Sequence, residues 1–383
     1  MKIASYNIEN MFERAAILDK DDWAKKNSVA KSRWDGARDA LGNWSSLNAI
    51  LRKEKYSAAD KRKILDLLSA LGLAKADEND EFILRQNRGH LLKRPRGKPA
   101  EVVAGGRGDW VGWVELQKEA VNEAATQNTA RVIKAIDADV LAVVEAEDRT
   151  TLCRFNEQVL GGKEAGGVPY EHVMLIDGND DRGIDVGLYT KKDHPVASMC
   201  SHVDDKAADG SKIFSRDCPQ YEIRLPGGGS FLLLINHLKS KGYGVKAQSD
   251  AKRLAQATRV REIYESLRQA GHDRIAVVGD FNDTPDSAPL APLLADSDLK
   301  DVSVHPAYES DSRIGTFGDG NKSNKIDFIL LSPKLFELVK HAGVFRLGVW
   351  GGKNGTLFPH LPTITKAEEA ASDHAAIWAE LEL

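Results

Sequence analysis

Carboxylate, amide and imidazole side chains recur in short motifs along the sequence. They are Asn7 (SYNIEN), Glu145 (DVLAVVEAED), His237 (INHLKS), Asp280 and Asn282 (VVGDFND), Asp327 (KIDFILL), and Asp373 with His374 (SDH). A hard divalent cation such as Mg²⁺ binds oxygen ligands and keeps several waters, so a carboxylate and an amide oxygen, as in Glu145 and Asn7, are sufficient. Cleavage of a phosphate ester also needs an oriented water, a proton acceptor and donors around the phosphoryl oxygens. The set therefore fits metal-assisted hydrolysis of a phosphate ester.

The elements that would position these residues are short apolar runs typical of strands. The runs cover residues 2–7, 139–144, 186–190, 221–225, 230–238, 274–281, 325–331 and 375–381. Apolar spacing near 3.6 predicts helices over residues 117–137 and 249–270, the second closed by Gly271. Open sheets place functional groups at strand ends. We therefore expect a strand-rich α/β core with helices on its outer faces.

In this order and on this strand pattern, the motifs resemble those of the endonuclease/exonuclease/phosphatase superfamily. The resemblance implies a deoxyribonuclease I-like fold, a four-layer α/β/β/α sandwich. It covers residues 1–13 and about 117–383, and its most specific part is the succession of GDFN, IDFIL and SDH. There are two departures from the family pattern. Val144 stands where the family often has Gln, and 138 residues separate Asn7 from Glu145, far more than in compact members.

The resemblance also implies a role for each motif residue. Asn7, Glu145 and Asp373 would bind the metal, Mg²⁺ or Mn²⁺. The catalytic residues would be His237, Asp280, Asn282, Asp327 and His374. Among these, Asp280 would align or activate the water, Asn282 would hold the water or the phosphate, and both histidines would donate to phosphate oxygens. Asp327 would hydrogen-bond His374 and fix its tautomer.

Several basic residues near these motifs are further candidates. Arg149, Arg182, Arg216 and Lys239 could bind phosphate, and surface salt bridges are an equal alternative for the arginines. Asp185, just before a strand, could orient His237. The loop after His237 begins basic and contains glycine, which suits a phosphate backbone passing the site.

Residues 14–116 interrupt the strand rhythm and are predicted to form an inserted subdomain within a single domain spanning residues 1–383. We expect a helix from about 58 to 73, capped by Ser57, and a hairpin over residues 81–94. Residues 14–130 hold 22 Lys and Arg against 17 Asp and Glu, whereas the remainder is acidic. Six basic residues and no acidic one lie between Arg85 and Lys98.

This basic segment is a candidate nucleic-acid surface. Arg88 and Arg94 would contact phosphates, and Trp110 and Trp113 would stack bases. The alternative is an ordinary solvated hairpin that packs against the core. The leading hypothesis is a metal-dependent phosphodiesterase acting on nucleic acid, with DNA as the preferred substrate. The alternatives are a phosphomonoesterase or small-molecule phosphodiesterase of the same superfamily, and a catalytically silent scaffold.

Composition narrows the class of protein. The 383 residues are 42% hydrophobic and 29% charged, which excludes a disordered or fibrous chain. No apolar run is long enough to span a membrane, and the first residues do not resemble a secretion signal. Three widely spaced cysteines suit a reducing compartment. We therefore expect a cytoplasmic protein without a membrane partner, and no obligate protein partner is evident.

Overall fold

A computed structural model describes residues 1–9, 17, 28–118, 122–180, 182–241 and 245–383. The chain divides into two units. The first contains Met1–Phe12, Val121–Lys241 and Val245–Leu383, and the second contains Glu13–Ala120 and Gly242–Gly244. Among the described residues, none of the helices combines the length and the apolar character that crossing a membrane requires.

The strands of the described residues are as follows: β1 (Lys2–Asn7), β2 (Phe82–Arg88), β3 (Leu92–Lys93), β4 (Glu101–Val102), β5 (Val111–Leu116), β6 (Val140–Ala146), β7 (His172–Leu175), β8 (Asp185–Thr190), β9 (Val196–Cys200), β10 (Gln220–Arg224), β11 (Ser230–His237), β12 (Ile275–Asp280), β13 (Lys300–Asp301), β14 (Tyr308–Glu309), β15 (Asp327–Leu331), β16 (Val339–Phe345) and β17 (Ala376–Leu381). The α-helices are as follows: α1 (Ser28–Leu51), α2 (Ala58–Ala70), α3 (Glu123–Ile136), α4 (Arg149–Arg154), α5 (Lys246–Gln269), α6 (Ala291–Leu294) and α7 (Pro333–Phe336).

Two sheets form the first unit. One has the strand order β14-β16-β17-β1-β6-β8-β7, and the other has the order β13-β15-β12-β11-β10-β9. Both are mixed: β1 runs parallel to β6 and antiparallel to β17, and β11 runs parallel to β12, which is antiparallel to β15. The apolar runs found in the sequence correspond to central strands, because strands covered on both faces have near-continuous hydrophobic sequences.

The inner faces of the two sheets share one hydrophobic core. Alternate residues of β6, such as Val140, Ala142 and Val144, pack there with Phe231, Leu233 and Ile235 of β11 and their neighbours. The other residues of β6 face α3, and the outer face of β11 and β12 packs against α5. The unit is therefore an α/β/β/α sandwich, as the resemblance to the superfamily implied.

Helix boundaries differ from the predictions by a few residues. Helix α3 begins at Glu123 because Asn122 caps it by accepting a hydrogen bond from the Ala125 N–H at 3.2 Å. Helix α5 ends at Gln269, and Gly271 follows with φ of +92°, which suits a residue without a Cβ.

The second unit has its own hydrophobic core, in which α1 and α2 pack against β2 and β5. Ser57 caps α2 through a capping box with Asp60, as predicted. The hairpin predicted over residues 81–94 is wrong. Strand β2 pairs with β5, and β3 pairs with β4, so the chain leaves β2 at Arg88 without folding back on itself. The partner of β2 is 23 to 34 residues away in sequence and leaves no local signal, whereas β3 and β4 form a short pair 8 to 10 residues apart that begins after the predicted turn.

Candidate active site

Strand ends bring the motif residues together. His237 closes β11 and lies opposite Asp280, which closes β12, and Asp280 in turn lies opposite Asp327, the first residue of β15. In the other sheet, Asn7 closes β1 opposite Val144, the residue before Glu145. Strand register therefore places His237, Asp280 and Asp327 side by side on adjacent strands of one sheet. It places Asn7 and Glu145 at neighbouring positions on adjacent strands of the other sheet.

The carboxylate of Asp280 is the centre of this cluster. Its Oδ2 atom lies 3.3 Å from Nδ2 of Asn7 and 3.2 Å from Nδ2 of Asn282, and both amides donate to it. The same oxygen lies 3.6 Å from Nε2 of His237 and 4.0 Å from Nε2 of His374. The Asp280 side chain is only 2% exposed. Burial, and next the nearby Asp327 carboxylate, raise the pKa of Asp280 to about 7.

Asp327 and His374 form a buried ion pair. Oδ2 of Asp327 lies 2.9 Å from Nδ1 of His374 and also accepts a hydrogen bond from the Thr316 hydroxyl at 2.6 Å. Burial is the largest effect and opposes the charged imidazole, but the Asp327 carboxylate, together with Asp373 and Asp280, raises the pKa of His374 well above its usual value. The surroundings of His374 therefore favour its charged form, and its Nε2 lies 4.0 Å from Oδ2 of Asp280.

His237 is in the opposite electrostatic state. Its Nε2 atom lies 3.6 Å from both Oε1 of Glu145 and Oδ2 of Asp280, while its buried Nδ1 has no hydrogen-bond partner among the described residues. Burial, followed by the positive charges of Arg216 and Arg182, lowers the pKa of His237 well below its usual value. The surroundings thus favour the neutral form of His237 and the charged form of His374.

Backbone geometry at the site is unusual. Glu9, Glu145 and Asn282 all have positive φ, at 56°, 63° and 55°. Glu145 sits at a bulge, where the pairing of β6 with β8 shifts between Val144 and Ala146. A non-glycine residue in this region is uncommon and concentrates at functional sites, where a bulge can redirect a side chain.

Asn7, Glu145 and Asp373 offer the oxygen ligands that a hard cation needs. Oδ1 of Asn7 accepts one bond, from the Glu9 N–H at 3.0 Å, and an amide oxygen has a second lone pair. The side chains of Glu145 and Asp373 are 23% and 31% exposed, so an ion can reach both. The donor types of these three residues are those that a hard divalent cation prefers.

A second group also satisfies metal-ligand spacing, since ligand atoms of Asp280, Asp327 and His374 lie within 4.8 Å of one another. However, Oδ2 of Asp327 already accepts from Thr316 and pairs with His374. Both contacts occupy ligand atoms that a cation at these three residues would need.

The SDH segment is fixed to β1. The Ser372 hydroxyl donates to the carbonyl of Asn7 at 2.8 Å and accepts from the His374 N–H at 3.0 Å. The Asp373 N–H donates to Oε2 of Glu9 at 2.8 Å. These bonds hold His374 and Asp373 beside Asn7.

Arg182 and Arg216 meet at Asp180. Arg182 binds Asp180 through Nε and Nη2 at 3.0 and 2.7 Å, and Nη1 of Arg216 lies 3.2 Å from the same carboxylate. Nη2 of Arg216 donates to the Leu238 carbonyl, next to His237. Burial first, then Arg182 and Arg216, lower the pKa of Lys239 to about 8. This basic group therefore adjoins the catalytic cluster.

The remaining candidates have other contacts. Arg149 is exposed and donates to the Val173 carbonyl at 2.9 Å, and no contact of it with the cluster is found among the described residues. Oδ1 of Asp185 accepts from the Gly178 N–H at 2.8 Å, and no bond to His237 is present in the described part of the chain. Phosphate binding by Arg149 and orientation of His237 by Asp185 are therefore not supported.

Two expectations for the insertion are wrong. Trp110 is fully buried in the core of the second unit, so it cannot stack bases. Arg94 binds the carbonyls of Leu73, Ala74 and Ala76 and pairs with Asp77 at 2.7 Å, which makes it a structural residue. Arg88 is exposed and donates to the Gly108 carbonyl at 2.7 Å, and Trp113 is 37% exposed.

Sequence reasoning missed Thr316, Ser372, Glu9 and Asp180. Ser372 lies inside the SDH motif, and Asp180 lies two residues before Arg182, so proximity to a motif could have indicated both. Thr316 is 11 residues from Asp327 in sequence and reaches it only through the fold. No sequence signal indicates that contact.

Comparisons with solved structures support the fold. An endonuclease/exonuclease/phosphatase family protein from Bacteroides thetaiotaomicron is 19% identical, with a TM-score of 0.50 over 67% of this chain and 85% of its own. A mannosyl-6-phosphatase from the same organism is 18% identical, with a TM-score of 0.50 over 68% of this chain and 91% of its own. The human nocturnin catalytic domain is 16% identical, with a TM-score of 0.47 over 68% of this chain and 87% of its own.

No protein with a curated description matches the sequence. The sequence profile of the endonuclease/exonuclease/phosphatase family, in contrast, matches residues 115–346, more than half of the 383 residues. That match includes Glu145, His237, Asp280 and Asp327 of the cluster. The chain therefore belongs to the endonuclease/exonuclease/phosphatase family.

Proposed function

We propose that the protein is a divalent-metal-dependent phosphodiesterase that hydrolyses nucleic acid, with DNA as the preferred substrate. Members of the family are hydrolases that act on phosphoesters. The observation that carries the proposal is the pairing of Asp280, a buried carboxylate with a raised pKa, with His374, a charged imidazole whose Nε2 lies 4.0 Å away. A proton acceptor and a proton donor therefore flank one small space.

Each side chain has a distinct task in this proposal. Asp280 takes a proton from the attacking water, since its raised pKa makes it a better base than an ordinary aspartate. Asn282 and Asn7 orient the Asp280 carboxylate through their amides. His374, held by Asp327, donates to a phosphoryl oxygen and stabilises the charge that develops there. A Mg²⁺ or Mn²⁺ ion held by Glu145, Asn7 and Asp373 would neutralise phosphate charge when bound.

Metal dependence is tested first with a small chromogenic phosphodiester, bis(p-nitrophenyl) phosphate, in Mg²⁺, Mn²⁺ or EDTA. Activity restored after EDTA by adding metal supports the proposal. Glu145→Gln should raise the metal concentration needed for half activity, because an amide is a poorer ligand for a hard dication. Full activity of the wild-type protein in EDTA would contradict the metal role.

Support for a polymeric substrate comes from the second unit. Lys93, Arg96 and Lys98 are exposed, and no ion pair of these three is found within the described residues. Such side chains are available to neutralise backbone phosphates. The buried Trp110 and the internally bonded Arg94 reduce this support, which favours the second candidate, a phosphomonoesterase or small-molecule phosphodiesterase. One fold neighbour is a mannosyl-6-phosphatase.

A variant that removes three surface charges of the second unit distinguishes the two candidate functions. Lys93→Gln, Arg96→Gln and Lys98→Gln together should weaken polynucleotide binding and lower the log–log salt slope by about 2 to 3, at 0.7–0.9 per lost contact. The control carries Lys192→Gln, Arg224→Gln and Lys334→Gln, three exposed positions in the first unit with the same charge change. Equal effects of both variants, or cleavage of phosphomonoesters without cleavage of DNA, would favour the second candidate.

A further inference from the structure

Helix α5 carries two polar side chains that are completely buried. Arg253 and Gln256 are both 0% exposed, on a face that otherwise contributes Ala257, Val260 and Tyr264 to the core. Arginine is almost never fully buried unless it is paired. A buried charge costs free energy that its contacts must offset, so the contacts of Arg253 indicate what it does.

Arg253 joins three segments of the chain. Its Nη1 donates to the Lys239 carbonyl at 2.6 Å, its Nε donates to Oδ2 of Asp283 at 2.9 Å, and its Nη2 donates to Oδ1 of Asp250 at 2.6 Å. Asp283 is itself 2% exposed and also pairs with Lys241. The guanidinium thus bridges the helix to two separate loops with its planar set of donors.

Gln256 holds the same loop from one turn further along the helix. Its Oε1 accepts a hydrogen bond from the Lys239 N–H at 2.8 Å. Both backbone polar groups of Lys239 are therefore bonded to side chains of α5. A loop residue fixed at its N–H and its carbonyl has little freedom to move relative to that helix.

The two loops held in this way carry catalytic residues. Lys239 is the second residue after His237, and Asp283 directly follows Asn282. The loops also contact each other, since Nδ2 of Asn282 donates to the Leu238 carbonyl at 3.2 Å and the Leu238 N–H donates to the Asp280 carbonyl at 2.9 Å. Displacement of either loop would therefore move Asn282 relative to Asp280 and His237.

We propose that Arg253 and Gln256 are positioning residues for hydrolysis, which fix the loop after His237 against the loop that carries Asn282. The inference rests on the proposed function, because it concerns the same catalytic cluster. Neither side chain touches the reacting atoms, and both act through Lys239 or Asp283. Reactions that depend on alignment lose about a hundredfold in rate for a displacement near 1 Å.

The test compares Gln256→Met and Arg253→Lys with Val260→Ala. Gln256→Met keeps the shape of the side chain but removes the acceptor, and Arg253→Lys keeps the charge but cannot reach all three partners. Val260 is a fully buried residue of the same helix that contacts neither loop through a hydrogen bond, so its truncation controls for lost stability. Hydrolysis of bis(p-nitrophenyl) phosphate at saturating Mn²⁺ is measured with thermal unfolding and deuterium exchange of residues 237–241.

Both positioning variants should lower kcat by about ten- to a hundredfold with little change in KM, and should speed exchange of residues 237–241. Val260→Ala should unfold at a lower temperature with kcat unchanged. Equal kcat losses in Gln256→Met and Val260→Ala, or unchanged kcat in Gln256→Met, would overturn the proposal. Gln256→Met removes no charge from the core. It therefore still tests the positioning role if Arg253→Lys does not fold.

Failure of the proposed function has a separate signature. Wild-type protein inactive on every phosphoester with Mg²⁺ or Mn²⁺ would overturn the proposed function, and with it the catalytic part of this inference. In that case, deuterium exchange of residues 237–241 alone tests whether Arg253 and Gln256 restrain the loop after His237. Slow exchange of residues 237–241 in both wild type and Gln256→Met would overturn that part as well.

Discussion

The carboxyl group of Asp280 is surrounded by amide and imidazole nitrogens and is shielded from water. Burial raises its pKa to about 7, so the fold is destabilised by the charge that the proposed base needs. Replacing the carboxylate by a neutral group of the same shape should therefore separate catalysis from folding.

Asp280→Asn should reduce kcat on a small phosphodiester by about a hundredfold or more, because the group that accepts the proton is lost. The unfolding temperature should stay equal or rise, since a buried charge is removed. Activity assays and thermal unfolding of the same preparation check both statements. A fully active, well-folded variant would show that another residue is the base.

Asp185 allows a prediction about pH that does not involve turnover. It is 5% exposed, and burial raises its pKa from 3.8 to about 7, a change that the Gly178 hydrogen bond opposes. In the unfolded chain the carboxyl ionises near pH 4, while in the fold it stays protonated to about pH 7. Its contribution to stability is therefore present below about pH 4 and is lost as pH rises through 7.

Asp185→Asn should abolish the loss of folding stability at rising pH, because an amide cannot ionise. In urea unfolding with EDTA present, the variant should gain stability over the wild type as pH rises from 5 to 8, by about 2 to 3 kcal/mol at 1.36 kcal/mol per pKa unit. A constant difference between the two proteins across that range would show that Asp185 is ionised in the fold.

Strand β12 depends on a glycine immediately before Asp280, the proposed base. Gly279 has φ of +132°, and a Cβ added there would lie 1.9 Å from the carbonyl oxygen of Asn236 on β11. The parallel pairing of β11 with β12, which aligns His237 with Asp280, therefore requires glycine at this position.

Gly279→Ala should force the two strands apart at the site, with a loss of several-fold or more in kcat and a clear fall in unfolding temperature. Gly227→Ala is the matched control, because nothing lies within 4 Å of a Cβ there. Circular dichroism melts and hydrolysis of the small diester measure both variants. Equal behaviour of the two would contradict the close approach of β11 and β12.

The sequence predicted the central strands well because they are buried on both faces and read as continuous apolar runs. It also predicted that Asn7, His237 and Asp280 follow such runs, and strand register then placed them together. It failed over residues 81–94, where β2 pairs with the distant β5 and β3 pairs with β4 rather than with β2. Nothing in the sequence indicated that Arg94 would be occupied within the fold. Its guanidinium donates to backbone carbonyls just after α2.

Considered as a whole, the molecule contains two units with separate hydrophobic cores. The second unit buries Leu47, Ile64 and Leu68 with its own tryptophans, and the proposed catalytic residues all lie in the first unit. Damage to the core of the second unit should therefore be separable from the chemistry.

Leu68 is fully buried in that second core, and Leu68→Ala should destabilise the second unit by about 2–5 kcal/mol. Calorimetry should show one transition moved to lower temperature, while hydrolysis of a small diester below that transition stays near the wild-type rate. If a single transition moves and activity falls with it, the two units fold as one cooperative body.

The position of β1 has a consequence for how the protein is made. Strand β1 lies between β17 and β6, and Asn7 contacts His374, which is 367 residues later in the chain. During synthesis on the ribosome, β1 is made before β6 and β17, the two strands with which it pairs. Every nascent chain that stops before residue 374 lacks His374. The contact between Asn7 and His374 can therefore form only after residue 374 has been synthesised, so chains terminated before that residue should be inert rather than partly active.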